Sequence, residues 1–420
     1  MRSVPAWWQR AARCAVAAFV ACLPLSLSGM ELALAAMMVL GSIALLRGYI
    51  IWPRSPLDVP VLVFLGVLVA STIAGGPSWG ALDAYRGLWI VGTYVAAMLL
   101  VENETRANRL VRVLVLLTGA VAVYGVVQHF TGIDLYRAAM GRRTLVEPLE
   151  LEAGRFVVIG FFPNSLTYAY SLIVPFSWVV AGTATAGGKW VLSRTVTAAL
   201  AALMAVALVL STARGAWVAG VVVVAAACLL ANARRRVILA AGATVLVAAL
   251  FIVSVGLRAG ARSMVDPGVN AGRLAIYAAN LEIVRDHPLL GVGFGNYDRS
   301  ARPYYDHHPR ADRRSHAHNS FLQVAAESGI VGLGAFCYLF GAVLMRGWQL
   351  LRRLGDLRPD IWPTAAGAWL AVIGFLVGAL TQDVFTDSEC AIPMWFAVAV
   401  LMTIDRATRS GGGETAHSSR

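Results

Sequence analysis

Lysine is nearly absent. Lys189 is the single lysine among 35 basic residues, so arginine carries the positive charge and its use at any one position says little by itself. Charge of either sign is also scarce, at 14% of residues against 58% hydrophobic. A chain of 420 residues with that balance cannot cover a soluble globule with polar surface, which predicts an all-α integral membrane protein. Cysteine is sparse and scattered: Cys14, Cys22, Cys228 and Cys337 fall in apolar runs and Cys390 lies near the outer edge of one. No C-x-x-C pair and no disulfide framework result. Neither an H-E-x-x-H frame nor an internal repeat is visible. The net charge of +12 comes without an aromatic-basic binding motif and is mostly explained by topology, so no nucleic-acid partner is expected.

What the chain does have is long apolar runs, each of roughly 17 to 25 residues, the length a helix needs to cross about 30 Å of hydrocarbon. About twelve spans are predicted, near 12–28, 30–46, 57–75, 86–101, 110–130, 161–182, 190–211, 214–232, 237–257, 319–345, 362–382 and 391–405. The N-terminus carries an A-x-A-like site, but a second apolar run follows almost at once, so an uncleaved first span is the reading preferred over a signal peptide.

Positive charge sets the orientation. Arg2, Arg10 and Arg13 precede the first span, Arg47 and Arg54 follow the second, and Arg106, Arg109 and Arg112 follow the fourth. Lys189 and Arg194, the RRR run at 234–236, Arg346 to Arg358, and Arg406 with Arg409 mark every other loop to the end. The marked loops are assigned to the cytoplasm, both termini with them, while Glu31, Asp83, Asp383, Asp387 and Glu389 fall on the opposite side. The whole chain, 1–420, reads as a single polytopic domain with two longer periplasmic segments, 131–160 and 258–318, and a disordered cytoplasmic tail over 406–420. Long outer loops cross regardless of their arginines. They are where a soluble active site has room.

The second outer segment contains an amphipathic helix: Leu274, Tyr277, Ala278, Leu281 and Val284 recur at helical spacing. Pro288 ends it, and Gly291, Gly293 and Gly295 make a tight turn. Such a helix lies along the outer membrane face or simply packs.

Where that segment enters the tenth span, "RRSHAHNSFLQVAAESGIVGL" brings ionisable groups straight into an apolar helix. Asn319, Gln323 and Glu327 are spaced four apart on one stripe, with His316 and His318 at its outer end. Polar groups in a membrane helix are costly and mark a functional face, or else bond neighbouring helices. His307, His308, His316 and His318, with Asp306 and Asp312 between them, are a candidate metal cluster, though on no rigid frame. The alternative is His318 as a general base toward a sugar hydroxyl, since imidazole has a reference pKa near 6.5. Arg214, in "STARGAWVAG", sits alone in a very short outer turn. A guanidinium there suits the oxygens of a pyrophosphate at the bilayer surface.

Four segments, "RFVVIGFFPNSLTYAYSLIVPF", "STARGAWVAG", "GRLAIYAANLEIVRDHPLLGVGFGNY" and "HAHNSFLQVAAESGIVGL", together resemble the O-antigen ligase and polymerase family of bacterial envelope glycosyltransferases, in order and in layout. Within it the chain is similar to the ligase that joins O-antigen polysaccharide to lipid A–core. The resemblance implies a GT-C-like membrane glycosyltransferase of the bacterial inner membrane with a periplasmic active site. Its donor would be an undecaprenyl-pyrophosphate-linked O-antigen and its acceptor lipid A–core, amid membrane lipids, with no cofactor and no metal. Carried over by motif, His318 becomes the base or acceptor-positioning group, and Arg214 and Arg273 bind the donor pyrophosphate. Arg155, Asn164, His316, Asn319 and Glu327 form a second tier. Attack from the face opposite the pyrophosphate inverts the anomeric configuration.

A polymerase of the same family would use the same donor with a second lipid-linked repeat as acceptor. A protein-glycosylating relative is expected to carry a further external C-terminal domain, which is not seen in this chain. A lipid-linked glycan transporter predicts two-fold pseudo-repeats and charges near the midplane, neither of which is apparent.

Overall fold

The computed structural model describes residues 3–76, 79–142, 145–149, 154–185, 190, 192–232, 235–237, 242, 267–311, 316–355 and 357–415. Among them the regular elements are all helices. In order they are α1 (Ala6–Cys22), α2 (Leu27–Leu46), α3 (Asp58–Ala74), α4 (Trp79–Leu100), α5 (Glu104–Thr131), α6 (Leu135–Ala139) and α7 (Ser165–Ala184). There follow α8 (Arg194–Leu210), α9 (Arg214–Leu230), α10 (Pro267–Asp286), α11 (Tyr297–Asp306), α12 (Ser320–Leu354), α13 (Trp362–Ala379) and α14 (Ser388–Thr415). Six of them, α2, α5, α7, α12, α13 and α14 to Arg409, are long and apolar enough to cross a membrane, and four shorter apolar helices accompany them. The chain is a multi-pass membrane protein. The expected span 237–257 lies almost wholly outside the described residues.

Capping explains where several helices begin. Ser26, Asn103, Asp134, Asn164, Ser193 and Asn319 each accept a backbone N–H in the first turn they open, which satisfies donors that the helix itself leaves unpaired. The first helix starts at Ala6, earlier than the apolar run suggested, and ends before Pro24 and the Ser26 cap.

The core is built on α7, which is apolar all round and buried on every side. Trp178 donates from Nε1 to the Thr364 carbonyl at 3.0 Å and packs against Phe396 of α14. By contrast α2 leaves Leu32, Val39 and Leu46 exposed, as suits a helix whose outer face meets lipid.

The two ends of the bundle differ in chemistry. At one end basic side chains pair with acids: Arg13 with Glu102 at 2.9 Å and Arg358 with Glu104 at 3.6 Å across the bundle, and Arg409 with Asp405 at 2.8 Å within α14. Arg353 also reaches buried Asp405. The helix α14 continues to Thr415, where composition suggests a disordered tail from 406; residues 416–420 lie outside the described residues.

At the other end α12 is broken. Gly329 has φ 64 and ψ −167, a conformation that L side chains rarely adopt, so the tenth expected span is two helices rather than one. The segment Pro288–Gly295 fills the break. Val292 N donates to the Ala326 carbonyl at 3.0 Å, Gly293 N to Glu327 at 3.0 Å, and Ile330 N to the Pro288 carbonyl at 2.8 Å. These bonds satisfy backbone groups that the interrupted helix would otherwise strand in an apolar setting. Ser71 of α3 completes the joint: its Oγ bonds the carbonyls of Glu327 at 2.7 Å and Leu290 at 2.9 Å and accepts Phe294 N at 3.0 Å.

Candidate functional site

Among the described residues only two non-glycine residues have positive φ, Thr212 (φ 59) and His318 (φ 52). Such backbone costs on the order of 1–3 kcal/mol and persists where surrounding structure over-determines it, often at functional sites. Both residues flank the same end of the bundle.

His318 is fixed from several directions. Its Nδ1 lies 2.9 Å from Gln382 Oε1, in the turn between α13 and α14. An amide oxygen only accepts, so Nδ1 is the donor in this contact. The His316 ring stands edge-on to it with centroids 4.3 Å apart. Tyr277 of α10 donates toward the His318 carbonyl at 3.5 Å. One residue before, Ala317 N donates to Gln323 Oε1 at 2.7 Å.

The polar stripe of α12 is thereby accounted for. Asn319 caps the helix through Phe321 N at 2.9 Å and Leu322 N at 3.1 Å, and its Nδ2 donates to the Leu380 carbonyl at 3.0 Å. Gln323 holds the histidine loop, and buried Glu327 accepts Gly295 N at 3.2 Å. Next to the cap, Ser320 bonds Asp383 Oδ1 at 2.9 Å and accepts Val384 N and Phe385 N. Burial pushes the Asp383 carboxyl above the ordinary carboxylate range, with nearby Asp387 adding to the rise.

Arg214 opens α9 after a three-residue turn and is half-buried. Its neighbour Gly215 shows how closely this turn is packed: a Cβ there would collide with Tyr170 Oη and Thr381 Oγ1, which bond each other at 2.7 Å. Thr381 precedes Gln382, so the arginine turn and the histidine partner share one wall. Arg273, on the exposed face of α10, is near enough for its charge to act on Arg214 and on the Tyr170 hydroxyl. It stands one helical turn from Tyr277. Arg214, Arg273 and His318 therefore border one region.

Beside His318 opens a cavity of about 500 Å³, lined by Asn164, Thr167, His316, His318, Gln382, Asp383 and Asp387 among others. Asn164 reaches it from the start of α7 while capping that helix through Thr167 N at 2.9 Å. Thr167 Oγ1 in turn donates to Asp387 Oδ2 at 2.9 Å.

Arg155 is placed elsewhere. Its guanidinium lies 4.5 Å from the centroid of Phe130 at the end of α5, a cation–π contact, and it does not line the cavity. The four histidines considered as a metal cluster separate into two pairs. His308 Nε2 lies 3.0 Å from Glu282 Oε1 and His307 Nδ1 lies 3.7 Å from Oε2, while His316 and His318 remain at the cavity. Asp312 lies outside the described residues, and among those described no three His, Cys, Asp or Glu side chains converge as a metal site would need.

Gln382 was not anticipated from sequence. The signal available is a polar run, "TQDVFTDSE", between two apolar spans, in which the acids Asp383, Asp387 and Glu389 stand out more than the amide.

Residues 199–337 match the family model described as O-Antigen ligase. The matched stretch contains Arg214, Arg273, His316, His318, Asn319 and Glu327, and ends before Gln382. No curated protein matches the chain.

Proposed function

We propose that the protein is a membrane glycosyltransferase of the O-antigen ligase type, moving a polysaccharide from undecaprenyl pyrophosphate to a sugar of lipid A–core. The observation that carries this reading is the placement of His318. Gln382 occupies Nδ1, and the ring lines a cavity where Nε2 would take the proton, while Arg214 and Arg273 stand close enough for their charges to interact. The match of residues 199–337 to the ligase family supports the same class.

In this mechanism Arg214 and Arg273 grip the donor pyrophosphate. Their mutual repulsion is relieved when a multiply charged anion enters, and they neutralise the charge that develops as the bond from the anomeric carbon to the pyrophosphate oxygen breaks. The acceptor hydroxyl attacks that carbon from the opposite face, its proton passes to His318 Nε2, and undecaprenyl pyrophosphate leaves. Configuration inverts. Asn164, Asn319 and Glu327 hold helix ends and loops, His316 buttresses the base ring, and Arg155 acts through the α5 end. No step is routed through a metal or cofactor.

The setting that goes with this chemistry is a bundle of about twelve spans of GT-C-like layout in the bacterial inner membrane. Both termini lie in the cytoplasm and the site faces the periplasm. The charge pattern supports it: arginines recur in the short loops assigned to the cytoplasm, Arg106 and Arg358 among them, as the positive-inside rule expects.

The deciding experiment supplies purified protein in lipid with undecaprenyl-pyrophosphate-linked polysaccharide and lipid A–core in excess EDTA. Polysaccharide-bearing lipid A–core, lost in His318→Ala, supports the proposal. Chain growth from donor alone would make the protein a polymerase, and donor translocation without any transfer would make it a transporter. Activity lost to chelation and restored by metal would return the histidines to a metal site.

A further inference from the structure

A second cavity, of about 360 Å³, adjoins the one at His318. Asn164 and Ser165 line both, so the two meet across the first turn of α7. Each has a volume in the range of small-molecule sites. The outer cavity is walled by Arg137, Glu147, Val157 and Pro163. Arg137 is not a loose surface side chain there: Nη1 donates to Asp134 Oδ2 at 2.6 Å and Nη2 to the Pro163 carbonyl at 3.1 Å, with Asp134 buried beneath it. The wall opposite is set by Val157 N donating to the Glu147 carbonyl at 2.9 Å.

The chemistry of the pair is unlike that of the arginine side. Among the described residues the inner cavity is lined by two carboxylates, Asp383 and Asp387, with amide and hydroxyl groups and the two histidines, and by no Arg or Lys. A pyrophosphate placed there meets repulsion from the turn between α13 and α14 that carries them. A neutral polyol meets acceptors for its hydroxyls, since each carboxylate oxygen has more than one lone pair to offer. Arg214 and Arg273 line neither cavity: Arg214 precedes Gly215, which packs on Tyr170 and Thr381, and Arg273 stands one turn before Tyr277, which bonds the His318 carbonyl. Displacement with inversion needs nucleophile and leaving group on opposite faces of the anomeric carbon, and separate sites for the polyol and the pyrophosphate suit that need.

Resting on the transfer reading above, we infer that the joined cavities are the acceptor cleft: the attacked sugar sits beside His318 among Asn164, Gln382 and Asp387, and the next sugar of the acceptor lies beyond Asn164 between Arg137 and Glu147. The occupant is an oligosaccharide of at least two units, and Arg137 provides a contact for an anionic substituent on the outer one.

The test reads binding and transfer separately. In full-length Val157→Cys protein, labelling by a membrane-impermeant maleimide is followed against the parent chain as background, with lipid-free core oligosaccharide as the probe. Saturable slowing of labelling, at least about threefold, weakened about tenfold in affinity when Glu147→Gln is added, supports the cleft; each factor of ten corresponds to one hydrogen-bond-sized loss. No slowing overturns it, and so does slowing by inorganic pyrophosphate instead of saccharide. In the transfer assay Glu147→Gln and Val157→Trp should raise the acceptor KM about tenfold and leave the donor KM unchanged. A raised donor KM with an unchanged acceptor KM would give the cavity to the donor glycan. Wild-type protein that glycosylates no acceptor would sink the transfer reading, while the labelling result still decides whether a saccharide occupies the cleft.

Discussion

Gln382 Oε1 lies 2.9 Å from His318 Nδ1 although 64 residues separate the two in sequence. The bond joins the turn between α13 and α14 to the loop that opens α12, and it selects which ring nitrogen is basic.

Gln382 is accordingly expected to be a positioning residue. Gln382→Ala should lower kcat about tenfold, the value of one hydrogen bond of roughly 1.4 kcal/mol, with little change in either KM. His318→Ala should cost about 10²–10⁴-fold, the usual contribution of a general base. Gln382→Glu places a carboxylate on Nδ1, stabilises the imidazolium, and should move the basic-group limb of the pH–rate profile upward; an unmoved profile would argue against tautomer control.

Arg214→Ala should reduce kcat/KM for the donor by about 10²–10³-fold, as for loss of one electrostatic stabiliser of a transition state, with the protein still inserted. Arg214→Lys should recover little, because a single ammonium cannot reproduce the bidentate fork. Steady-state kinetics with donor and acceptor varied in turn check both. Full activity in Arg214→Ala removes it from the mechanism.

Gly329→Ala tests the joint in α12. With φ at 64, an alanine is strained by about 1–2 kcal/mol, and its Cβ would also run into the Leu289 carbonyl. A loss of at least about 2 kcal/mol is expected, read as a lower Tm in detergent. An unchanged Tm would mean that the Pro288–Gly295 segment is not keyed as described.

Asp383 carries a pH signature. Its carboxyl is raised by burial, so the protonated form is favoured by the fold: that contribution is complete below the ordinary aspartate value of about 3.9 and is lost as pH rises through the raised value. Asp383→Asn keeps an acceptor for Ser320 and gains a donor for Thr386, the two side chains Asp383 now bonds. Its Tm should therefore gain on the wild type as pH increases from about 4 to 7. A constant difference would contradict a buried, titrating carboxyl.

Much of this architecture was legible because lipid imposes simple rules. Apolar length located helices such as α2, α5 and α13, and Asn164 and Asn319 announced helix starts by the spacing of their polar oxygens. What stayed hidden depends on partners distant in sequence. The break at Gly329 requires the 288–295 segment to fill it, and nothing in "ESGIVGL" reveals that partner. Arg155 carried the same positive charge as Arg214, yet Phe130 claims it. His307 and His308 looked equivalent to His316 and His318 until Glu282 was found beside the first pair. The role of Gln382 could be seen only once α13 and α12 were side by side.

The joint between the Pro288–Gly295 segment, α3 and the interrupted α12 works as a mortise. It locks the outer helix bearing Arg273 to the helix that follows His318, so the two cannot swing apart to admit a bulky glycan. Adaptation to substrates of different length must then come from the substrates, whose lipid tails and flexible sugar chains move in the bilayer and above it while the reacting groups stay at a fixed gauge. Chains of any length can be served by such a frame, because it measures only the one bond being exchanged.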